Sequence, residues 1–208
     1  TCNADGVEIA RGMCELVERH TGILADNVVV ASTGVIGQPL SLEPIAAGMP
    51  ELVRGLGARD DEANQAILTT DTRAKQIAFE FELGGKVCRI GGIAKGSGMI
   101  HPNLATMLVF VTTDAAIAPA MLERALREDV RDSFNMVSVD GDTSTNDMVS
   151  VLANGLAGNP EITQPDRDYE IFCEALAAVT RALCRMIAGD GEGATKLLTC
   201  NVVGALDV

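Results

Sequence analysis

Few residues in this chain are placed to do chemistry. Thr106 follows Ala105, opens the apolar run Met107 to Val111 and is preceded by a glycine-rich stretch. A threonine hydroxyl is a weak nucleophile unless a base stands beside it. If the bond before Thr106 were cut, the new α-amine would lie within reach of its own Oγ. Such an amine, with a pKa of about 8, suits the role of general base near neutral pH. The small residue at 105 leaves room for Oγ to reach the preceding carbonyl. The glycines at 91, 92, 96 and 98 can hold the backbone in the strained shape that attack needs. An Ala-Thr pair is equally at home as ordinary strand sequence, because threonine favours strands. Residue types alone leave both readings open. Other nucleophile signatures are missing: there is no G-x-S-x-G elbow and no H-E-x-x-H, and Gly34-x-x-Gly37 is only a turn signal.

The 208 residues that must position this chemistry are 47% hydrophobic and 3% aromatic, enough for one substantial core or two small ones. The formal net charge is −13, and both halves are acidic. A phosphate backbone would be repelled, so nucleic acid is not an expected partner. The six cysteines form no C-x-x-C pair, and several fall in apolar periodic runs, which reads as buried reduced thiols. His20 and His101 lack ligand spacing, so no metal and no cofactor are expected. No leader and no bilayer-length apolar run is seen, which predicts a soluble cytoplasmic protein without a membrane partner.

Periodicity predicts a first helix through Val7, Ala10, Met13, Cys14 and Val17, ending at Gly22, and a second over 42–56. Asn27 to Ala31 reads as a buried strand running into the loop 32–37. Residues 74–93 read as a hairpin around Gly84-Gly85. The stretch 91–106 reads as neither regular helix nor central strand. Beyond it a strand Met107 to Val111, an amphipathic helix Pro119 to Phe134, a polar loop 140–147, a long helix 168–188 and a last strand Thr195 to Val203 follow. The fold class is therefore α/β, with layered mixed sheets and helices.

Several segments resemble the ornithine acetyltransferase (glutamate N-acetyltransferase) family, in its order and over nearly the whole chain. They are Ala31 to Gly37 (ASTGVIG), Thr69-Thr70-Asp71-Thr72, the run Lys95 to Leu108 (KGSGMIHPNLATML), Asp140 to Asp147 (DGDTSTND) and Asp190 to Lys196 (DGEGATK). The resemblance implies a Thr-nucleophile, autoprocessing fold akin to that of aminopeptidases of the same broad type. It implies a cut between Ala105 and Thr106, giving an α-chain portion 1–105 and a β-chain portion 106–208. Thr106 then matches the nucleophile. Thr33 and Gly34 match an oxyanion hole, a hydroxyl and a backbone N–H whose donors are worth about 3–4 kcal/mol each in a dry site. Lys95 matches the residue that meets a substrate carboxylate, Thr72 another substrate contact and Glu192 the acid facing the amino-acid substrate.

Each assignment has a plain rival. Thr33 could cap a turn, Lys95 could be a solvated loop charge, and Thr70 or Asp71 could take the role given to Thr72. Glu192 sits between glycines, as a turn residue would. The 140–147 loop could satisfy its own polar groups or support the site. The reaction implied is ping-pong transfer of acetyl from N-acetylornithine to glutamate, in arginine biosynthesis, by α/β heterodimers that pair into a heterotetramer. Some members also accept acetyl-CoA, and the sequence does not separate the two kinds. Family members extend further at both ends, and their Gly-Asp-Asn-Trp-Gly-type segment has no counterpart here, so the chain is expected to be truncated. A Thr/Ser-nucleophile aminopeptidase and an inactive fragment of the transferase are the rival readings. Thr1-Cys2 is discounted as a nucleophile.

Overall fold

The structure, a computed structural model, describes residues 3–102 and 104–204, and of residues 60, 104 and 105 the backbone alone. Thr1 and Cys2 lie outside it. Helix α1 (Gly6–Thr21) packs against α2 (Glu43–Arg54), and a short α3 (Asp60–Ala66) leads to the sheet. Strands β1 (Lys75–Leu83) and β2 (Lys86–Lys95) form the expected hairpin, closed by Gly84 and Gly85, both at positive φ. A small hairpin of β3 (Ile100–His101) and β4 (Leu104–Ala105) follows, then β5 (Leu108–Thr113), α4 (Pro119–Asp129), β6 (Met148–Ala153) and α5 (Arg167–Gly189). The main sheet has the order β1-β2-β5-β6 and is mixed: β5 and β6 are parallel, and α4 lies in their crossover.

Alternation explains the core. Leu83, Cys88, Ile90, Ala94, Val109 and Val111 point to one face of the sheet and are buried there with Phe172, Leu176, Val179, Leu183 and Ile187 of α5. Phe81 and Phe172 meet as a tilted ring pair with centroids 6.3 Å apart. Helix α5 starts where the Asp166 side chain accepts the Tyr169 N–H, a cap the sequence supplies directly. No helix among the described residues is long and apolar enough to cross a membrane.

The mixed α/β class is as expected, and four local expectations are corrected. Residues 28–31 form no strand; they run beside α1, where the Cys14 Sγ–H donates to the Val28 carbonyl at 3.7 Å, and Val29 is exposed. Residues 195–203 form no strand either, and Leu198, Val202 and Val203 face outward. β-Propensity does not supply a ladder partner. The stretch from Gly91 does contain a central strand, since β2 continues to Lys95 between β1 and β5. Its glycines are there for closeness. A Cβ on Gly92 would lie 3.0 Å from the Phe110 carbonyl oxygen and 3.2 Å from Leu183 Cδ1, so a side chain here would press both β5 and α5 outward. The helix expected to reach Phe134 stops at Asp129 and gives way to a 3₁₀ turn at Phe134–Met136. The described cysteines are free thiols, with Cys88 and Cys184 buried but Cys200 exposed.

Candidate active site

The end of α5 and the start of β1 meet over a buried charge node. Lys75 opens β1 and is fully buried. Its ammonium donates to Asp71 Oδ1 and to Asp190 Oδ2, each at 2.6 Å. Asp190 closes α5 and also accepts the Thr72 N–H at 3.0 Å and the Thr72 hydroxyl. Asp71 accepts the Gly96 N–H at 2.7 Å and the Thr69 N–H at 3.2 Å. Burial pushes both carboxyls up, but their hydrogen bonds outweigh it. The Gly96 N–H and Lys75 hold Asp71 below the usual carboxylate range, and Lys75 and Thr72 take Asp190 down to about 2. The node thus fixes the 69–73 loop, the start of the 96–106 run and the 190–193 turn relative to one another.

Lys95 stands beside this node. It is buried, its ion-pair partner is Asp71 Oδ2 at 4.0 Å, and its register partner in β5 is Leu108. Burial drives its ammonium below the ordinary lysine range and Lys75 adds to the effect; the carboxylates of Asp71, Glu192 and Asp147 oppose it. The two loop charges expected to meet substrate, Lys95 and Glu192, therefore feel each other. Glu192 is held in place by its N–H, which donates to the Ser97 carbonyl at 2.6 Å, and by the Thr70 hydroxyl, which donates to Oε1 at 2.5 Å and lies 2.7 Å from Ser97 Oγ. Gly98 makes the approach possible: a Cβ there would fall 2.6 Å from Glu192 Cδ. Thr72 is turned to Asp190, whereas Thr70 faces Glu192.

Thr106 follows β4. Its N–H donates to the Met99 carbonyl at 2.6 Å, and its Oγ1 is buried with no hydrogen-bond partner among the described residues. Of Ala105, backbone pairing with Ile100 is what the structure describes. The next N–H, that of Met107, goes to Asp147 Oδ1 at 3.1 Å. Asp147 so links Thr106's neighbour to the 140–147 loop and, through its charge, to Lys95. Thr33 and Gly34 border that loop at Asn146. They line a cavity of about 140 Å³ with Asn146, Val35, Ile36 and Leu40. A larger one of about 450 Å³ runs from α1 past Ser32 to Asn146, Asp147 and Leu108.

Sequence reasoning missed Lys75, Asp190 and Thr70 as parts of this arrangement, although Thr70 had been weighed as a rival to Thr72. The signal was slight: a lysine opening an apolar strand, whose buried partners are four and 115 positions away.

The ArgJ family model matches residues 1–208. The curated arginine biosynthesis bifunctional protein ArgJ of Geobacillus stearothermophilus is 52% identical over 97% of this chain and 50% of its own length. The Symbiobacterium thermophilum protein is 54% identical over 96% of this chain and 50% of its own, and that of Bacillus subtilis 52% over 96% and 49%. The chain spans about half the length of the curated relatives it matches. The crystal structure of the Bacillus halodurans arginine biosynthesis bifunctional protein ArgJ is 50% identical, with a TM-score of 0.41 over 42% of this chain and 41% of that one.

Proposed function

The chain belongs to the ArgJ family, and on that premise we propose that it carries the nucleophile of an acetyltransferase that cuts its own chain at Ala105–Thr106 and then moves acetyl from N-acetylornithine to glutamate. The observation that carries the reading is the buried Thr106 Oγ1, which has no hydrogen-bond partner among the described residues. A buried hydroxyl left unpaired costs free energy, roughly 1–3 kcal/mol, and such a cost is expected at a reacting atom.

In the cut, Thr106 Oγ bonds to the Ala105 carbonyl carbon and gives up its proton. The C–N bond breaks, and the nitrogen leaves as the neutral amine, carrying the proton that Oγ gave up. Water then hydrolyses the ester, freeing the Ala105 carboxylate and the Thr106 hydroxyl. In transfer, the freed amine takes the Oγ proton while Oγ attacks the acetyl carbonyl of N-acetylornithine. The ornithine amine departs with a proton, and the glutamate amine then takes the acetyl group from Oγ. The Thr33 hydroxyl and the Gly34 N–H serve the tetrahedral oxygen. The buried Lys95 ammonium meets the substrate α-carboxylate, Glu192, with Thr70 behind it, faces the ornithine ammonium, and Thr72, held by Asp190, is a further substrate contact. The parts on either side of the cut remain together as α and β chains, which pair into a heterotetramer. The relatives are named bifunctional, and acetyl-CoA, as a second donor, would acylate the same threonine.

Intact mass and N-terminal sequencing of the purified protein test the cut. Two pieces are expected, the second beginning at Thr106, with Thr106→Ala remaining whole and inactive in transfer. A folded parent that stays whole would overturn the cleavage reading.

A further inference from the structure

Met99 is the one non-glycine residue at positive φ among those described, with φ 56°. A residue with a long side chain adopts the left-handed region at a cost and does so where its surroundings hold it there. Here the holder is Asp140. Its carboxylate accepts the Met99 N–H at 2.6 Å through Oδ2 and the Ile100 N–H at 3.0 Å through Oδ1. The neighbouring Val139 N–H donates to the Ile100 carbonyl at 3.0 Å, so loop and hairpin are fastened at two successive residues. The consequence appears across the hairpin. Met99 is opposite Thr106, one position beyond the Ile100–Ala105 pair, and its carbonyl receives the Thr106 N–H. In a regular antiparallel ladder the Met99 N–H would return that bond to Thr106. It is given to Asp140 instead, and the rung is one-sided.

We propose that Asp140 is a positioning residue for the cut, acting through Met99: by holding Met99 left-handed it aims the Met99 carbonyl at the nitrogen of the bond that breaks. The inference rests on the cleavage reading above and adds a group to it. As Oγ attacks, the Thr106 nitrogen loses its conjugation and becomes pyramidal. An N–H already tied to a carbonyl fixes which side the hydrogen takes and leaves the lone pair on the other side, free to be protonated as the C–N bond breaks. After the cut the same carbonyl holds one N–H of the new α-amine and turns its lone pair toward Thr106 Oγ, where a general base is needed. Among the described contacts the Asp140 carboxylate bonds Met99, Ile100 and Asp142, not Thr106.

The test follows chain cutting by intact mass over time in the full chain, comparing the parent, Asp140→Asn and the double variant Asp140→Asn with Met99→Gly, with thermal melts of each. Asp140→Asn is expected to cut at least about tenfold more slowly. Glycine enters the left-handed region without the usual steric cost, so the double variant is expected to regain a factor of about five to thirty. A defect confined to the 140–147 loop would not be repaired by glycine at 99. A parent that cuts while Asp140→Asn keeps its rate, or a slow Asp140→Asn that glycine at 99 does not restore, overturns this inference alone. A folded parent that stays whole overturns the cleavage reading, and the inference with it.

Discussion

Between α5 and the sheet, contact is apolar and spread over many side chains: Phe172, Leu176, Val179, Leu183 and Ile187 lie against Ile90, Val109 and Val111. At the corner where α5 ends, contact is carried by three buried charges, Asp71, Lys75 and Asp190, with the exposed Arg73 3.6 Å from Asp190 and with Thr72 and Gly96 supplying hydrogen bonds. The two regions adjoin, yet they should fail differently. In the apolar layer each contact contributes little and neighbours can relax, so losses are graded. In the node each partner is the counter-charge of another, so removing one strands the rest in a place without water. The 69–73 loop, the 96–106 run that follows Lys95 and the turn that carries Glu192 hang from the node, and the layer serves as the wall behind it.

The comparison is most easily broken at Lys75. Lys75→Met keeps much of the shape but leaves Asp71 and Asp190 buried without their shared cation. A loss of about 3–5 kcal/mol is expected in denaturant unfolding; a loss under about 1 kcal/mol would mean that the node is no more concentrated than the layer. Acid reaches the same point by protonation. The folded Asp190 carboxyl lies at about 2, below its ordinary 3.8, and Asp71 is lowered too. A depressed carboxyl stabilises the fold in full above its unfolded pKa and loses that contribution as pH falls through its folded one. The parent should therefore lose stability between about pH 4 and pH 2, and Lys75→Met should lose much less over that window.

Lys95→Met sharpens the comparison, because Lys95 is beside the node without closing it. Substrate use should fall roughly ten- to a hundredfold. The melting temperature should hold or rise, because burial already disfavours the ammonium. A large loss of stability would instead make Lys95 a fourth member of the node. In the apolar layer, Gly92→Ala should cost about 1–3 kcal/mol by pressing on Leu183 and the Phe110 carbonyl. Ile187→Val, which removes one methylene from the last turn of α5's buried face, should cost about 0.5–1.5 kcal/mol. Equilibrium unfolding measures both, and an effect of Ile187→Val as large as that of Lys75→Met would remove the distinction.

Much of this molecule follows from local pattern. The 3.6-residue spacing of apolar side chains gives α5, and alternation around Gly84-Gly85 gives the β1–β2 hairpin, because both signals are complete within a short stretch. Thr106 is a different case: the small residue before it and the glycines upstream leave it equally readable as strand sequence, and the resemblance carried by Lys95 to Leu108 is what singles it out, within a family match that extends over residues 1–208. Tertiary structure decided the rest. Val28 to Ala31 and Thr195 to Val203 have strand composition, but a strand needs a neighbour's N–H and C=O groups, and the sheet offers those to β6 instead. That Lys75 would bridge Asp71 to Asp190, and that Asp140 would hold Met99 from about 40 positions away, could not be read from spacing. A buried charge or a strained backbone is tolerable only where the folded chain brings its partner, and composition does not say which of 29 acidic residues that will be.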